Sequence, residues 1–141
     1  MATIKKSSLV TVSGAEQAVA AGGFVLFNIN RLTTGCNIQH VEGGSAVKLL
    51  GPGLYLVNFD ADINITATGP VTAQLVNNGE AILGAADTVQ ATNGEPIGLH
   101  FATLVKVLPN CPAIDNTAGL QVAISAAGTL TNANFMAVKL D

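Results

Sequence analysis

The chain has 141 residues and a net charge of −3, and charged residues make up only 11% of it, against about 25% in a typical soluble domain. Its six basic residues are scattered, which argues against a nucleic-acid-binding protein, and no apolar run approaches the roughly 20 residues of a membrane-spanning helix. So little charge predicts that other copies of the chain, or a partner, cover part of the surface.

Turn signals rich in Gly and Asn separate short runs of Val, Ile, Leu, Thr and Phe, a pattern typical of an all-β sandwich or barrel. The predicted strands, in chain order, are 8–12, 24–32, 46–50, 54–66, 71–77, 80–83, 97–108, 120–126 and 134–140. The only helical candidate is the short segment 15–21. These elements predict a two-sheet antiparallel sandwich, a jelly roll of about nine to ten strands.

The chain divides at most into a short N-terminal segment and one domain. We predict that residues 23–141 form the jelly roll. Residues 1–22 are either an N-terminal arm, which could attach the domain to a particle, or the first strand of the sandwich. Both alternatives remain open from the sequence.

The segment GPGLYLVNFDADINI, residues 51–65, alternates apolar residues with polar ones from Asn58 onward. Asp60 and Asp62 therefore project from the same face of a strand, about 6.5–7 Å apart. Such a pair could lie on a solvated face or an interface, bind calcium, or act as two catalytic carboxylates. Because residues 97–107 show a similar alternation without acids, the pattern favours a sheet face over a site.

The residues capable of chemistry are few and do not form a motif. Cys36 and Cys111 could be free thiols, one disulfide closing a long loop, or metal ligands together with His40. His100 lies on the outward side of the strand 97–108, which indicates a surface or interface residue and not a general base. We therefore expect no enzymatic activity, no metal and no cofactor.

Four segments carry a resemblance to a known family: FVLFNINRLTTGCNI, GPGLYLVNFDADI with its Gly-x-Tyr strand opening, VTAQLVNNGEAI with its Asn-Gly turn, and the C-terminal FMAVKLD. They resemble the tumour necrosis factor and complement globular-head superfamily, whose jelly rolls assemble as trimers. The pieces TTGCNI, LLGPGLYLVNFDADI and LVKVLPNC are more narrowly similar to short bacterial and bacteriophage members, which occur on spore and virion surfaces.

The resemblance implies a homotrimer in which apolar residues on the outward strand faces pack between protomers. The residues expected at this interface are Leu54, Leu56, Leu104, Leu108 and His100. His100 could then act as a pH-sensitive interface group if three copies meet near an axis.

The implied function is that of a structural protein on a particle surface. The resemblance favours a trimeric bacteriophage virion decoration or head-fibre protein at the virion surface, with capsid or other virion proteins as partners and a role in host attachment. A bacterial spore or cell surface is the alternative location. The alternative function is a carbohydrate- or receptor-binding tip domain that recognises a host-surface glycan, against which the sequence offers no Trp and only one Tyr, Tyr55.

Overall fold

The computed structural model describes residues 6–109 and 117–140, which form β-strands and no helix. The twelve strands are β1 Ser8–Ser13, β2 Gln17–Val19, β3 Gly23–Phe24, β4 Ile29–Thr34, β5 Ile38–Gln39, β6 Val47–Leu49, β7 Gly53–Ile65, β8 Gly69–Asn77, β9 Glu80–Ala91, β10 Ile97–Val107, β11 Ala118–Ile124 and β12 Gly128–Lys139. The prediction of an all-β chain is confirmed.

The strands form two antiparallel sheets packed face to face. Sheet 1 has the order β10-β7-β12-β1-β4, and the short strand β2 also pairs with β12. Sheet 2 has the order β5-β6-β11-β8-β9, with the short strand β3 paired to β11. The chain crosses between the sheets at β7–β8, β9–β10 and β11–β12, which confirms the jelly-roll sandwich. The segment Ser8–Ser13 lies inside sheet 1, between β12 and β4.

The long strand β7 is the centre of sheet 1 and supplies much of the core. It pairs with β10 on one side and β12 on the other along most of its length. Its odd-numbered residues from Tyr55 to Ile65 are all buried, as the alternation predicts. The Phe59 ring stacks on Phe101 of β10 at 5.3 Å between centroids, while Phe27 approaches both Phe59 and Phe135 of β12. Aromatic packing therefore joins the three strands beneath sheet 1.

The turn before β7 is held to the strand by a side chain. The Tyr55 hydroxyl donates a 2.6 Å hydrogen bond to the carbonyl of Gly51. A Cβ at Gly51 would lie 2.7 Å from Cγ of Asn37, so any other residue would require the Asn37 side chain to shift. The backbone N–H of Leu50 donates to the Asn37 carbonyl at 2.8 Å, which secures the start of the same turn.

The predicted strand 24–32 is wrong as a single element. The chain passes here from sheet 2 to sheet 1: Val25 N–H donates to Val122 of β11, whereas Asn28 N–H donates to Val12 of β1. The alternation of buried and exposed residues continues through the crossing, which is why the segment resembles one strand in sequence.

The helical candidate 15–21 is also wrong, because Gln17–Val19 forms β2 against β12. The Gln17 side-chain amide donates to the Leu26 carbonyl at 2.7 Å and accepts from the Leu26 N–H at 2.9 Å. The Gln17 side chain thus pairs with the backbone N–H and C=O groups of Leu26, as an adjacent strand would.

The predicted strand 80–83 is too short, since β9 continues to Ala91. Its register against β8 shifts between Gln74 and Val76. The Gln74 amide donates to the carbonyls of Ile82 and Ala85 at 2.8 and 3.2 Å, which holds the displaced segment. Gly84 adopts a φ of +84° within it, and this glycine is why the sequence indicates a strand end there.

We expect Tyr55→Phe to lower the free energy of unfolding by about 1 kcal/mol, because it removes the hydrogen bond to the Gly51 carbonyl but keeps the buried ring. Tyr55→Ala should cost more, about 3–5 kcal/mol, because it also leaves a cavity. Chemical denaturation followed by circular dichroism measures both. A Tyr55→Phe variant as stable as the parent would contradict the role given to the hydroxyl.

Candidate functional site

The candidate site is the outer face of sheet 1, which is the face turned away from the core. The strand register decides which side chains lie on that face. Residues directly opposite each other in neighbouring strands point to the same face. One row across the sheet runs Leu104, Leu56, Val138, Ser8 and Thr34. The next row runs Ala102, Asn58, Met136, Val10 and Leu32.

Most of these side chains are apolar, and together with Leu54 they form what we call the apolar patch. Its residues are Val10, Leu32, Leu54, Leu56, Leu104, Met136 and Val138. Leu104 is 54% exposed and Leu32 is 46% exposed, so the patch offers apolar surface to solvent in the single protomer. Val10 is buried and the other four are partly buried, so the exposed apolar surface centres on Leu32 and Leu104. Exposed apolar surface on a sheet face is typical of an interaction site.

The outer face of sheet 2 is more polar, although the exposed Phe24 of β3 lies on it, across from Ala123. Thr72 and Thr88 face each other across β8 and β9, and their hydroxyl oxygens are 2.7 Å apart. Gln121 of β11 donates from its amide to the Ser45 hydroxyl at 2.8 Å. The two outer faces of the sandwich therefore differ in chemistry, and only that of sheet 1 carries the apolar patch.

The sequence-predicted interface residues fall on or beside this face. Leu54 and Leu56 are partly buried, Leu104 and His100 are exposed, and the exposed Leu108 directly follows β10. The structure adds Val10, Leu32, Met136 and Val138, which the sequence analysis missed because they come from β1, β4 and β12. The run 8–12 shows no two-residue alternation, and no local pattern indicates which strands lie side by side.

Beside the apolar patch lies a polar row. Nδ1 of His100 is 2.7 Å from Oδ1 of Asp60, both side chains are 58% exposed, and Asn134 lies across from Asp60 in β12. A contact this exposed contributes little to stability. Asp62 faces Gly98 in the next row. The two aspartates thus have different surroundings, and no three His, Cys, Asp or Glu side chains in the described part of the chain are placed to hold a metal ion.

Carboxylates accept hydrogen bonds from backbone N–H groups at both edges of sheet 1. At the β10 edge, Oδ2 of Asp87, from β9 of the other sheet, accepts from the His100 N–H at 2.9 Å. At the β4 edge, Oε2 of Glu42 accepts from the Asn30 N–H at 2.9 Å. Each contact links the edge of sheet 1 to a segment outside that sheet.

His40 has a structural role beside the β4 edge. Its two ring nitrogens lie 2.6 Å from Oδ1 of Asn30 and 2.9 Å from the Gly44 carbonyl oxygen. Its ring also meets Phe27 edge-on, with centroids 6.1 Å apart. Both nitrogens are therefore engaged, which leaves neither for a metal. Cys36 is exposed, and Cys111 lies outside the described residues, so their pairing stays a prediction.

A cavity of about 270 Å³ lies beside His40, lined by Gln39, Val41, Ala46 and Lys48 among others. It lies near β5 and β6, away from the apolar patch. None of the described residues forms a helix that could span a membrane.

Several solved structures share this fold over nearly the whole chain. Murine APRIL superposes with a TM-score of 0.72 at 15% identity, covering 96% of this chain and 99% of that chain. The globular domain of the zebrafish complement 1qA protein gives 0.66 at 13% identity, covering 93% and 94%. The PRD1 vertex protein P5 gives 0.65 at 16% identity, covering 96% and 97%.

These matches confirm the resemblance at the level of fold. The chain has the jelly-roll fold of the tumour necrosis factor and complement globular-head superfamily, and a bacteriophage protein is among those that share it. Neither a protein-family model nor a curated protein matches the sequence.

We expect Asp87→Ala to expose the His100 backbone N–H at the edge of sheet 1 and to speed its hydrogen exchange about tenfold, since a charge-assisted hydrogen bond is lost. Asp87→Asn is the matched control, because its amide oxygen can still accept. Hydrogen-exchange NMR at the His100 amide measures the effect. Equal exchange in Asp87→Ala and the parent would contradict the assignment.

Proposed function

We propose that this chain is a homotrimeric structural protein of a virus-particle surface, and more specifically a bacteriophage virion decoration or head-fibre protein. The observation that carries the proposal is the difference between the two outer faces of the sandwich. The face of sheet 1 is mostly apolar across two neighbouring rows, whereas that of sheet 2 carries mainly hydroxyl and amide side chains beside the exposed Phe24.

Copies of the chain are the favoured occupants of the apolar patch. Each protomer of a closed trimer makes two contacts, which at a standard size bury about 1,600 Å² of its surface. The protomer surface is 7319 Å², so such a loss is well within reach. Interfaces between permanent partners are apolar at their centre and poor in charge, as the patch is. The same burial accounts for a sequence with only 11% charged residues.

The fold comparison supports the proposed location on a particle surface. PRD1 P5 is described as a vertex protein, and it shares the fold over nearly its full length. A virion surface location for the present chain rests on that likeness. Capsid or other virion proteins are then its partners, and host attachment is a role open to a protein in that position.

We propose a non-catalytic role. His40 is engaged through both ring nitrogens, and Asp60 is engaged by His100. A sugar-binding tip is less well supported, because sugar sites usually offer an aromatic platform and Tyr55 is fully buried. Among the described residues Phe24, at 41%, is the exposed aromatic side chain.

Light scattering of the purified protein at micromolar concentration should give the mass of a trimer. Leu104→Asp should shift it to a monomer, because it places a charge in the apolar patch, and an uncompensated charge is costly in a dry interface. Leu104 is exposed in the protomer, so the substitution leaves the core intact.

Leu83→Asp is the matched control for this test. Leu83 is 95% exposed on β9, in the other sheet, and its substitution should leave the trimer unchanged. A stable parent monomer, or an unchanged Leu104→Asp trimer, would contradict the proposed interface.

Immunogold electron microscopy of the native source, with antibodies raised against this chain, tests the location. The expected result is gold on the outer surface of virions. Gold confined to spores or to the bacterial cell surface would contradict the virion assignment and favour the alternative location.

A further inference from the structure

The two ring nitrogens of His40 both face hydrogen-bond acceptors. Nδ1 lies 2.6 Å from Oδ1 of Asn30, and Nε2 lies 2.9 Å from the carbonyl oxygen of Gly44. A neutral imidazole carries one N–H and can donate from only one of its nitrogens. In either neutral tautomer, the other nitrogen therefore sets its lone pair against an oxygen lone pair at hydrogen-bond distance.

The neighbouring side chains do not remove this conflict. Nδ2 of Asn30 donates to the His40 carbonyl at 2.8 Å, so exchanging the amide oxygen and nitrogen would bring two acceptors together at that contact. The Thr11 hydroxyl is 3.4 Å from Nδ1 of the ring, but it donates to the Ile29 carbonyl at 3.1 Å. The carbonyl of Gly44 can only accept. The surroundings of the ring therefore require a donor at both nitrogens.

We propose that His40 is an imidazolium when the loop 41–44 is closed on the β4 edge of sheet 1, and that loss of its proton to solvent loosens this loop. The imidazolium carries an N–H on each nitrogen and can donate to Asn30 and to Gly44 at once. This device belongs to the single protomer and does not rest on the proposed homotrimer.

The loop 41–44 is joined to the body of the protein by a small set of polar contacts. The Gly43 N–H donates to the Phe27 carbonyl at 2.8 Å, and Oε2 of Glu42 accepts from the Asn30 N–H at 2.9 Å. The imidazolium adds a bridge between β4 and the last residue of the loop. A neutral ring turns one half of this bridge into a repulsive contact, so the loop should open more often.

The pH dependence has a definite sign. The side chain of histidine ordinarily changes charge at about pH 6.5, so the bridge is complete below that range and loses one contact as the pH rises through it. The charged groups around His40 are Glu42 in the loop, Lys48 in the lining of the same cavity, and the exposed Arg31 next to Asn30 on β4. Carboxylate, ammonium and guanidinium groups ordinarily keep their charge between about pH 5.5 and pH 8, which leaves the imidazole as the group that changes.

Amide hydrogen exchange of the purified protein at about pH 5.5 and about pH 8 tests the device. Each rate is expressed as a protection factor, which removes the intrinsic pH dependence of exchange. Protection of the Asn30 and Gly43 amides should fall about tenfold between the two pH values, the effect of losing one hydrogen bond of ordinary strength.

The two histidines of the chain supply a variant and its matched control. His40→Gln should abolish the pH dependence, because glutamine does not titrate. His100→Gln removes the other imidazole and should leave the pH dependence as in the parent. A dependence that persists in His40→Gln, or that disappears in His100→Gln, would overturn the assignment to His40.

Nitrogen NMR of the His40 ring in the parent protein provides the second measurement, and it needs no variant. The ring nitrogen shifts distinguish the imidazolium from both neutral tautomers, and the pH series is extended upward until the proton is lost. We expect an imidazolium at about pH 5.5 and a loss of protection in the loop that coincides with the loss of the proton. A ring already neutral at about pH 5.5 beside a protected loop, or unchanged protection when the proton leaves, would overturn the proposal.

Discussion

The strict two-residue alternation of β7 is the constraint on which the rest of the structure depends. The strand is paired on both sides, so its register decides the position of β10 and β12 together. A slip of one residue would turn Tyr55 and Phe59 outward and bring Asn58 and Asp60 into the core. The hydrogen bond from Tyr55 to Gly51 secures the start of the strand, and the stacking of Phe59 on Phe101 secures its middle.

The same alternation gives the protein two separate apolar surfaces. One set of side chains forms the core shared by the two sheets, and the other continues across β10, β7, β12, β1 and β4 on the outside. Folding and the proposed association therefore draw on different residues of the same strands. A change at Leu104 can alter assembly while the core stays intact, since its side chain does not enter the core.

Sequence reasoning was most successful where a pattern is local. The alternation in 51–65 and in 97–107 predicts β7 and β10 and places Leu56 and Leu104 on one outer face. It fails at 24–32, because a chain crossing between sheets keeps the alternation of a strand. It also fails at β2, where the hydrogen bonds of the Gln17 side chain to Leu26 leave no trace in periodicity. The apolar patch could be predicted only in part, because its extension to Val10 and Met136 depends on pairing between the two ends of the chain.

The two carboxylates at the edges of sheet 1 limit how further strands can add to the sheet. An exposed border strand is a template on which a foreign strand can add, and repeated addition yields open-ended fibres. Asp87 and Glu42 each accept a hydrogen bond from a backbone N–H that an added strand would need for pairing. In the proposed homotrimer, contact between copies uses the broad face of sheet 1 and not its edges, and rotational symmetry closes such an assembly at a finite size.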